Sequence, residues 1–358
     1  MYQPENKFHS PEAGDRNIPL LERYRAPVDL YMRDLLSATP GDPARMIEYH
    51  VGFRDQHDLL VPTGSSDGKA IRPTFSLLTV DAIGGDWQRA VPAAAALELF
   101  HQFTLIHDDI QDGDEERHGK PTVWKKWGKE QAINAGNAAH ILSTQSLLGL
   151  SKNDYSVEKT LAGVDLLTQT GLKLAEGQSQ DMAFEGRLDV TPEEYLAMIA
   201  GKTGVLLESS IAMGALLGGA DEETTSHLRE YGQASGLAFQ IVDDGLGIWG
   251  DPAKTGKPVG ADILKRKKAY PVVLAFDQAE GATKRQLETI YGQSEGMSEA
   301  DKETVLGILH ELGCKEQAKI LATAAVGRAI DSIMNANIDL SLKGDYLNLA
   351  EKFVSRQR

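Results

Sequence analysis

Between His107 and Asp112 the chain reads HDDIQD, three carboxylates within five positions. On a helix, Asp108 and Asp112 stand four apart and share a face, with Asp109 roughly 100° round the axis. Anions packed this tightly repel one another and weaken an isolated helix unless cations sit between them. Oxygen donors from one or two carboxylates, completed by water and substrate phosphates, are the usual way a protein holds Mg2+. The alternative is a solvated helix end. At average residue usage a D-D-x-x-D string arises by chance roughly 0.08 times in a chain of this length, and acids at a helix C-terminus oppose the macrodipole. Both facts favour the metal reading, which a second site of the same kind would strengthen.

A second acidic pair is present. Asp243-Asp244 closes another helical pattern, which runs through Tyr231, Leu237, Phe239, Gln240, Ile241 and Val242. Each acidic end is followed by glycine and cations. After the first come Arg117, His118, Gly119 and Lys120; after the second come GLGIWGDPAKTGKPVGAD and then Lys265-Arg266-Lys267-Lys268. Two readings stand for these cations: salt bridges and a solvated face, or a grip on a diphosphate held beside a metal. A third basic stretch, Gly68-Lys69-Ala70-Ile71-Arg72-Pro73, enters a helix from a glycine turn, where backbone N–H groups and two cations can converge on an anion. A plain surface turn explains it equally well. Gly201-Lys202-Thr203-Gly204 lies mid-helix, where each glycine costs about 1 kcal/mol relative to alanine, and that calls for close packing or a ligand.

The elements that must position these groups are helices. Pro92 opens a run through Ala93, Ala96, Leu97, Leu99, Phe100, Phe103, Leu105 and Ile106 with no glycine before Gly113, so one helix delivers HDDIQD. Thr191-Pro192-Glu193-Glu194 reads as a capping box opening an apolar helix to about Leu217. Helical spacing also covers 130–150, 158–183 and most of the chain beyond Pro271, without strand alternation, short repeat or composition break. The expectation is an all-α chain: a polar, poorly ordered segment over 1–19, then a single helical domain over 20–358. With 358 residues, 41% hydrophobic and 25% charged, the chain suffices for a large core. A net charge of -15 argues against nucleic acid or an anionic membrane surface as partner. Cys314 is the only cysteine, which removes disulfides and thiolate metal sites. There is no membrane-length apolar run and no apolar leader core in MYQPENKFHSPEAGDRN, so a soluble, cytoplasmic protein with no integral membrane segment is expected.

In chain order, GKAIRP (Gly68 to Pro73), LELFHQFTLIHDDIQD (Leu97 to Asp112), RHG (Arg117 to Gly119), GQSQD (Gly177 to Asp181), KTG (Lys202 to Gly204), FQIVDD (Phe239 to Asp244) and TGKPVGADILKRKKAYP (Thr255 to Pro271) resemble the ordered motifs of the trans-isoprenyl diphosphate synthases. This is the polyprenyl synthetase family, and the likeness is to its short-chain type, which makes geranylgeranyl or farnesyl diphosphate. The resemblance implies an all-helical isoprenoid-synthase bundle with a central cavity, two Asp motifs facing each other at its mouth, and a homodimer. It implies Mg2+, about three ions per active site with substrate diphosphate, held by Asp108, Asp112 and Asp243 with Asp109 and Asp244 in support. Arg117, Lys202, Lys257 and Lys267 would clamp the diphosphate of an allylic substrate. Metals and cations stabilise diphosphate as a leaving group, so that the C–O bond ionises to an allylic cation; the family places Thr203 and Gln240 beside that cation. Isopentenyl diphosphate, the acceptor, would bind through Lys69, Arg72, His101 and His118. Its double bond attacks, a proton is lost, and the product is five carbons longer.

The chain departs from the family pattern in three places. Ala70 stands where arginine is common. His118 replaces the second arginine of RRG, which would make acceptor binding weaker or pH-dependent. Gly247 stands where a third Asp is usual, with Asp251 a candidate replacement. For chain length, the aromatic Phe103 five before the first Asp resembles short-chain enzymes, and Thr104 lacks the second aromatic common in farnesyl-making forms, so C20 is expected ahead of C15. On the helical wheel Thr104 lies one turn beneath Asp108 and Phe103 about 140° away, where ordinary core would also place it. Two rivals remain. A class I terpene cyclase needs an N-D-x-x-S-x-x-x-E type of second motif, absent from Asp243 onward; a non-catalytic regulatory subunit would have lost the first Asp motif, which is intact.

Overall fold

The structure, a computed structural model, describes residues 19–62, 70–252, 258–293 and 296–355. Most of the expected polar N-terminal segment (1–18), Lys69 and Lys257 lie outside the described residues. In chain order the elements are α1 (Leu20–Ser37), α2 (Asp42–His50), α3 (Ile71–Ile83), α4 (Val91–Gln111), β1 (Glu116–Arg117), β2 (Lys120–Pro121), α5 (Val123–Trp127), α6 (Lys129–Leu148), α7 (Val157–Glu185), α8 (Pro192–Ile199), a π turn (Ala200–Gly204), α9 (Val205–Gly218) and α10 (Glu222–Trp249). Further helices span Ala261–Leu264, Tyr270–Gln278, Gly281–Tyr291, Glu299–Glu311, Cys314–Asn335 and Leu340–Ser355. The fold is all-α. Its described residues gather into two compact units: the chain up to Leu167 with Ser210–Asp221, and Thr168–Ser209 with the chain from Glu222 onward.

In the first unit α4 is the central element. Ala93, Ala94, Ala95, Ala96 and Leu97 are fully buried, and their small side chains let neighbouring helices close in on the backbone. Ser146 of α6 donates a hydrogen bond to the Pro92 carbonyl at 2.6 Å, and Tyr24 of α1 donates to Asp81 of α3 at 2.7 Å. The helix ends at Gln111, and Gly113 turns the chain away at φ +67°.

The hairpin after α4 is an addition to the expected all-helical chain. Glu116 pairs with Pro121 and Arg117 with Lys120, across a two-residue loop in which His118 and Gly119 take φ +52° and +72°. Positive φ at both loop residues suits a type I′ turn. With His-Gly in place of Asn-Gly and strands of two residues, the sequence carries little hairpin signal.

In the second unit α10 packs on the helices Cys314–Asn335 and Leu340–Ser355, where Tyr231 donates to the Tyr346 carbonyl at 2.8 Å. Ile241, Val242, Ile263, Val272, Val273, Leu287 and Leu309 belong to its core. The capping box at Thr191 forms in both directions with Glu194. The stretch Pro192–Gly218 is long and apolar enough to cross a membrane, yet 61% of its most apolar window is buried inside the protein, as in a core helix.

Candidate active site

The last turn of α4 sorts its carboxylates by direction. Asp108 is half-buried and Asp112 exposed, while Asp109, 1% exposed, turns inward. Its Oδ1 accepts from Arg117 Nε at 2.9 Å and from an Arg117 terminal nitrogen at 2.7 Å. Burial raises the Asp109 pKa, and the Arg117 hydrogen bonds oppose the rise. Arg117 is thus held in the hairpin, at the strand position next to the turn. Tyr49 braces that hairpin by donating to the Pro121 carbonyl at 2.7 Å, and Thr122 and Trp124 both donate to the Asp114 carbonyl.

A cationic cluster sits within the same unit. Arg72 lies in the first turn of α3, behind the left-handed Ala70 (φ +46°), and its Nε is buried without a partner among the described residues. Burial lowers the Arg72 pKa, against the opposing charge of Glu98. His101 is held well below the ordinary histidine range, first by burial and then by Arg72, Arg117 and His50. The structure therefore brings Arg72, His101 and Arg117 together, with His50 of α2 as an unforeseen fourth member. His118 is exposed at the hairpin tip.

Thr104 donates to the His101 carbonyl at 2.7 Å. Phe103 packs edge-on against Phe100 (5.1 Å) and His107 (5.2 Å) and stacks on His140 of α6 at 5.0 Å. Phe103 is directed at α6.

In the second unit α10 repeats the division seen on α4, although the helix runs on past the doublet to Trp249 and does not close at Asp243-Asp244 as the sequence suggests. Asp243 is exposed; Asp244, 5% exposed, is fully engaged. Its Oδ2 accepts from the Tyr195 hydroxyl (2.6 Å) and the Tyr270 N–H (2.9 Å), and its Oδ1 from the Gln240 amide (2.9 Å). Gln240 in turn accepts from Thr203 at 2.8 Å. Burial raises the Asp244 pKa to about 6, with those hydrogen bonds resisting. Lys202 pairs with Asp181 of α7 at 2.5 Å. The backbone around Lys202 is closely packed: a Cβ at Gly177 would lie 2.4 Å from the Lys202 backbone nitrogen, one at Gly236 would lie 2.7 Å from Gly204 Cα and one at Gly201 would lie 3.2 Å from the Lys173 carbonyl oxygen, whereas one at Gly204 would meet nothing nearer than the Ile199 carbonyl oxygen at 3.7 Å. Lys267 is exposed. At Gly247 a Cβ would meet the Asp262 carboxylate at 2.0 Å, so the acid lying over that position is Asp262, while Asp251 is exposed beyond the end of α10.

Residues 59–309 match the model of the polyprenyl synthetase family. The chain belongs to that family. It is 39% identical over 324 residues, 90% of each chain, to geranylgeranyl diphosphate synthase of Mycobacterium tuberculosis. It is 34% identical over 344 residues (96% of this chain, 94% of the relative) to (2E,6E)-farnesyl diphosphate synthase of Mycobacterium bovis. Among solved structures, polyprenyl synthetase from Streptomyces coelicolor A3(2) aligns with a TM-score of 0.85 at 35% identity, covering 93% of this chain and 98% of that one.

Among the described residues of this polyprenyl synthetase, no three Asp, Glu, His or Cys side chains cluster closely enough to hold a metal unaided. The donors presented at the surface are oxygens: Asp108 and Asp112 in one unit, Asp243 in the other. Asp109 and Asp244, expected in support, are committed to Arg117 and to Tyr195, Tyr270 and Gln240. A set of one or two carboxylates that leaves room for substrate phosphate and water is what Mg2+ accepts. The residues present fit that ion.

His50, Tyr195 and Asp262 carried no signal in the sequence. His50 and Tyr195 sit in ordinary helical patterns, and Asp262 lies fifteen positions from the glycine it covers; only tertiary packing gives each its place.

Proposed function

We propose that this polyprenyl synthetase is a Mg2+-dependent short-chain trans-prenyltransferase that condenses isopentenyl diphosphate head to tail with an allylic diphosphate. The main product is geranylgeranyl diphosphate (C20), with farnesyl diphosphate (C15) next. The observation that carries this reading is the α4 end, where an outward Asp108/Asp112 face is backed by the inward Asp109–Arg117 pair beside a buried cationic cluster. Bound Mg2+ would supply positive charge to the departing diphosphate. Asp108, Asp112 and Asp243 are the carboxylates that would hold it. Arg117, fixed by Asp109, and Lys202, fixed by Asp181, bind diphosphate oxygens, with Lys257 and Lys267 completing the clamp. Thr203 and Gln240 turn oxygen dipoles to the allylic cation, and the Asp244 brace keeps the Gln240 amide from flipping. Arg72, His101, Lys69 and His118 seat the acceptor.

C20 is supported by the small Thr104 one turn beneath Asp108, by Phe103 walling the α4–α6 side, and by the geranylgeranyl diphosphate synthase among the relatives. The protein acts as a soluble, cytoplasmic homodimer, with 20–358 as one functional domain. Ile133, Ile141 and Leu148 of α6 and Val157 and Leu161 of α7 are exposed apolar side chains that a second copy would cover; a monomer by light scattering would remove this part of the reading.

The test is incubation with Mg2+, labelled isopentenyl diphosphate and, separately, C5, C10 and C15 allylic diphosphates, followed by chain-length analysis. A C20 ceiling is expected. Products of C30 or longer would take Phe103 out of its limiting role. No elongation from any starter would overturn the synthase reading in favour of a cyclase or a regulatory subunit.

A further inference from the structure

His50 belongs to no motif of the family, yet it stands inside the cationic cluster. It is the last residue of α2 and 8% exposed, and its Nε2 is buried with no hydrogen-bond partner among the described residues. An unsatisfied buried polar atom costs stability. A single such atom can be an imperfection of packing; here a second, Arg72 Nε, belongs to the same cluster. The charged groups that act on His50 are all basic, Arg117, Lys120 and His118 of the hairpin, and His50 in turn lies close enough to His101 of α4 to act on it. Burial and these cations push its pKa down to about 3, so the ring stays neutral while no anion is bound. Among the described residues no acid acts on His50: Asp109 holds Arg117 through Oδ1, its buried Oδ2 having no partner there, while Glu98 accepts from Gln102 and sets its charge against Arg72. A neutral N–H donor among cations suits a ligand with several anionic oxygens. The family's second RRG arginine is absent, and its replacement His118 lies exposed at the hairpin tip.

We propose that His50 is a further binding residue for the diphosphate of isopentenyl diphosphate, its Nε2–H donating to a phosphate oxygen. The inference rests on the acceptor role given above to Arg72 and His101.

Three variants of the full chain test it: His50→Ala, His50→Gln, which keeps an N–H donor, and His50→Phe, which keeps a ring without one. Melting temperatures are taken first, then KM for each substrate and kcat in the presence of Mg2+. His50→Ala and His50→Phe are expected to raise KM for isopentenyl diphosphate about tenfold, the loss of one hydrogen bond to a charged group, with KM for the allylic diphosphate and kcat within about twofold. His50→Gln recovers most of the affinity. Calorimetric titration of isopentenyl diphosphate in EDTA, where no turnover occurs, is expected to show the same ratio between wild type and His50→Ala. An unchanged acceptor KM in His50→Ala overturns the proposal, as does a parallel rise of both KM values with a lowered melting temperature in all three variants. Wild-type protein that elongates no starter refutes the synthase reading itself, which is a different result from wild-type activity that survives His50→Ala.

Discussion

Gly177→Ala asks whether backbone contact places Lys202, proposed above to bind diphosphate. The new Cβ would stand 2.4 Å from Lys202 N, 2.7 Å from the Gly201 carbonyl carbon and 2.9 Å from Lys202 Cα. All three are backbone atoms, so no side-chain rotation relieves the contact. Either α7 or the π turn must yield by about 1 Å to restore ordinary separations near 3.5 Å. Two terms oppose one another: alanine gains about 1 kcal/mol over glycine in a helix, and overpacking costs about 1–3 kcal/mol. The net is a loss of up to about 2 kcal/mol. Activity suffers more, because Lys202 rides on the displaced segment and a shift of about 1 Å can cost on the order of 100-fold. Urea unfolding and kcat/KM for the allylic diphosphate measure the two effects. Gly307→Ala is the control, since Gly307 is exposed inside the helix Glu299–Glu311 with nothing within 4 Å of an added Cβ. It should gain up to about 1 kcal/mol with unchanged kinetics. If Gly177→Ala behaves like Gly307→Ala in both measurements, the close-packing account of Lys202 is wrong.

Three other outcomes are expected. Asp112→Ala should cut kcat by about 100-fold or more while leaving the melting temperature unchanged or slightly raised, because an exposed acid leaves the helix C-terminus; Asp109→Ala should lower stability by about 1–3 kcal/mol by stranding the partly buried Arg117. Equal destabilisation by the two would contradict the assigned directions of these side chains. Tyr195→Phe should cost about 1 kcal/mol in urea unfolding, with Asp244 keeping its bonds to Tyr270 and Gln240; no loss would mean the Tyr195 hydroxyl does not hold Asp244. The pH dependence of stability carries the mark of His50, whose pKa falls from 6.5 to about 3 on folding. As pH drops below 6.5 the unfolded chain takes up a proton that the folded ring refuses until about 3. Stability from this group is therefore complete above 6.5 and lost at about 1.4 kcal/mol per pH unit across that window. His101 adds a slope of the same sign. Urea unfolding at pH 5 and pH 7 should show a shallower dependence in His50→Gln, and an identical slope would mean the ring is not buried neutral.

The chemistry of this chain was legible in its sequence where it depended on helix periodicity, and illegible where it depended on which neighbour fills a gap. The helix ending in HDDIQD follows from a proline start, alanine-rich packing and a glycine stop, all local. The capping box at Thr191 is equally local, and both appear as the spacing predicts. The hairpin was hidden because a histidine at φ +52° is a choice made by its surroundings. The spacing of Phe103 to Asp108 is legible in the sequence, whereas the ring it stacks on, His140, lies nearly forty positions away. The same holds for Asp262 over Gly247. A missing third acid is visible in DDGLG; the acid that covers the gap becomes visible only when two segments meet.

The two Asp doublets follow one physical rule. Neighbouring residues on a helix diverge by about 100°, so two successive carboxylates cannot both face the same ligand. One must turn toward the protein, where it needs donors to offset its burial. At Asp109 the donor is the Arg117 guanidinium, so anchoring the helix end and fixing the direction of Arg117 are done by the same contact. At Asp244 the donors are neutral, a tyrosine hydroxyl, a backbone N–H and an amide; burial raises the pKa there to about 6, as burial also raises that of Asp109. The inward acid of each doublet therefore locks the orientation of the outward one. Its second product differs between the units: a fixed cation beside Asp108, and beside Asp243 a fixed amide dipole, carried through Gln240 to Thr203. Those are the two kinds of group that a reaction forming diphosphate anion and allylic cation requires.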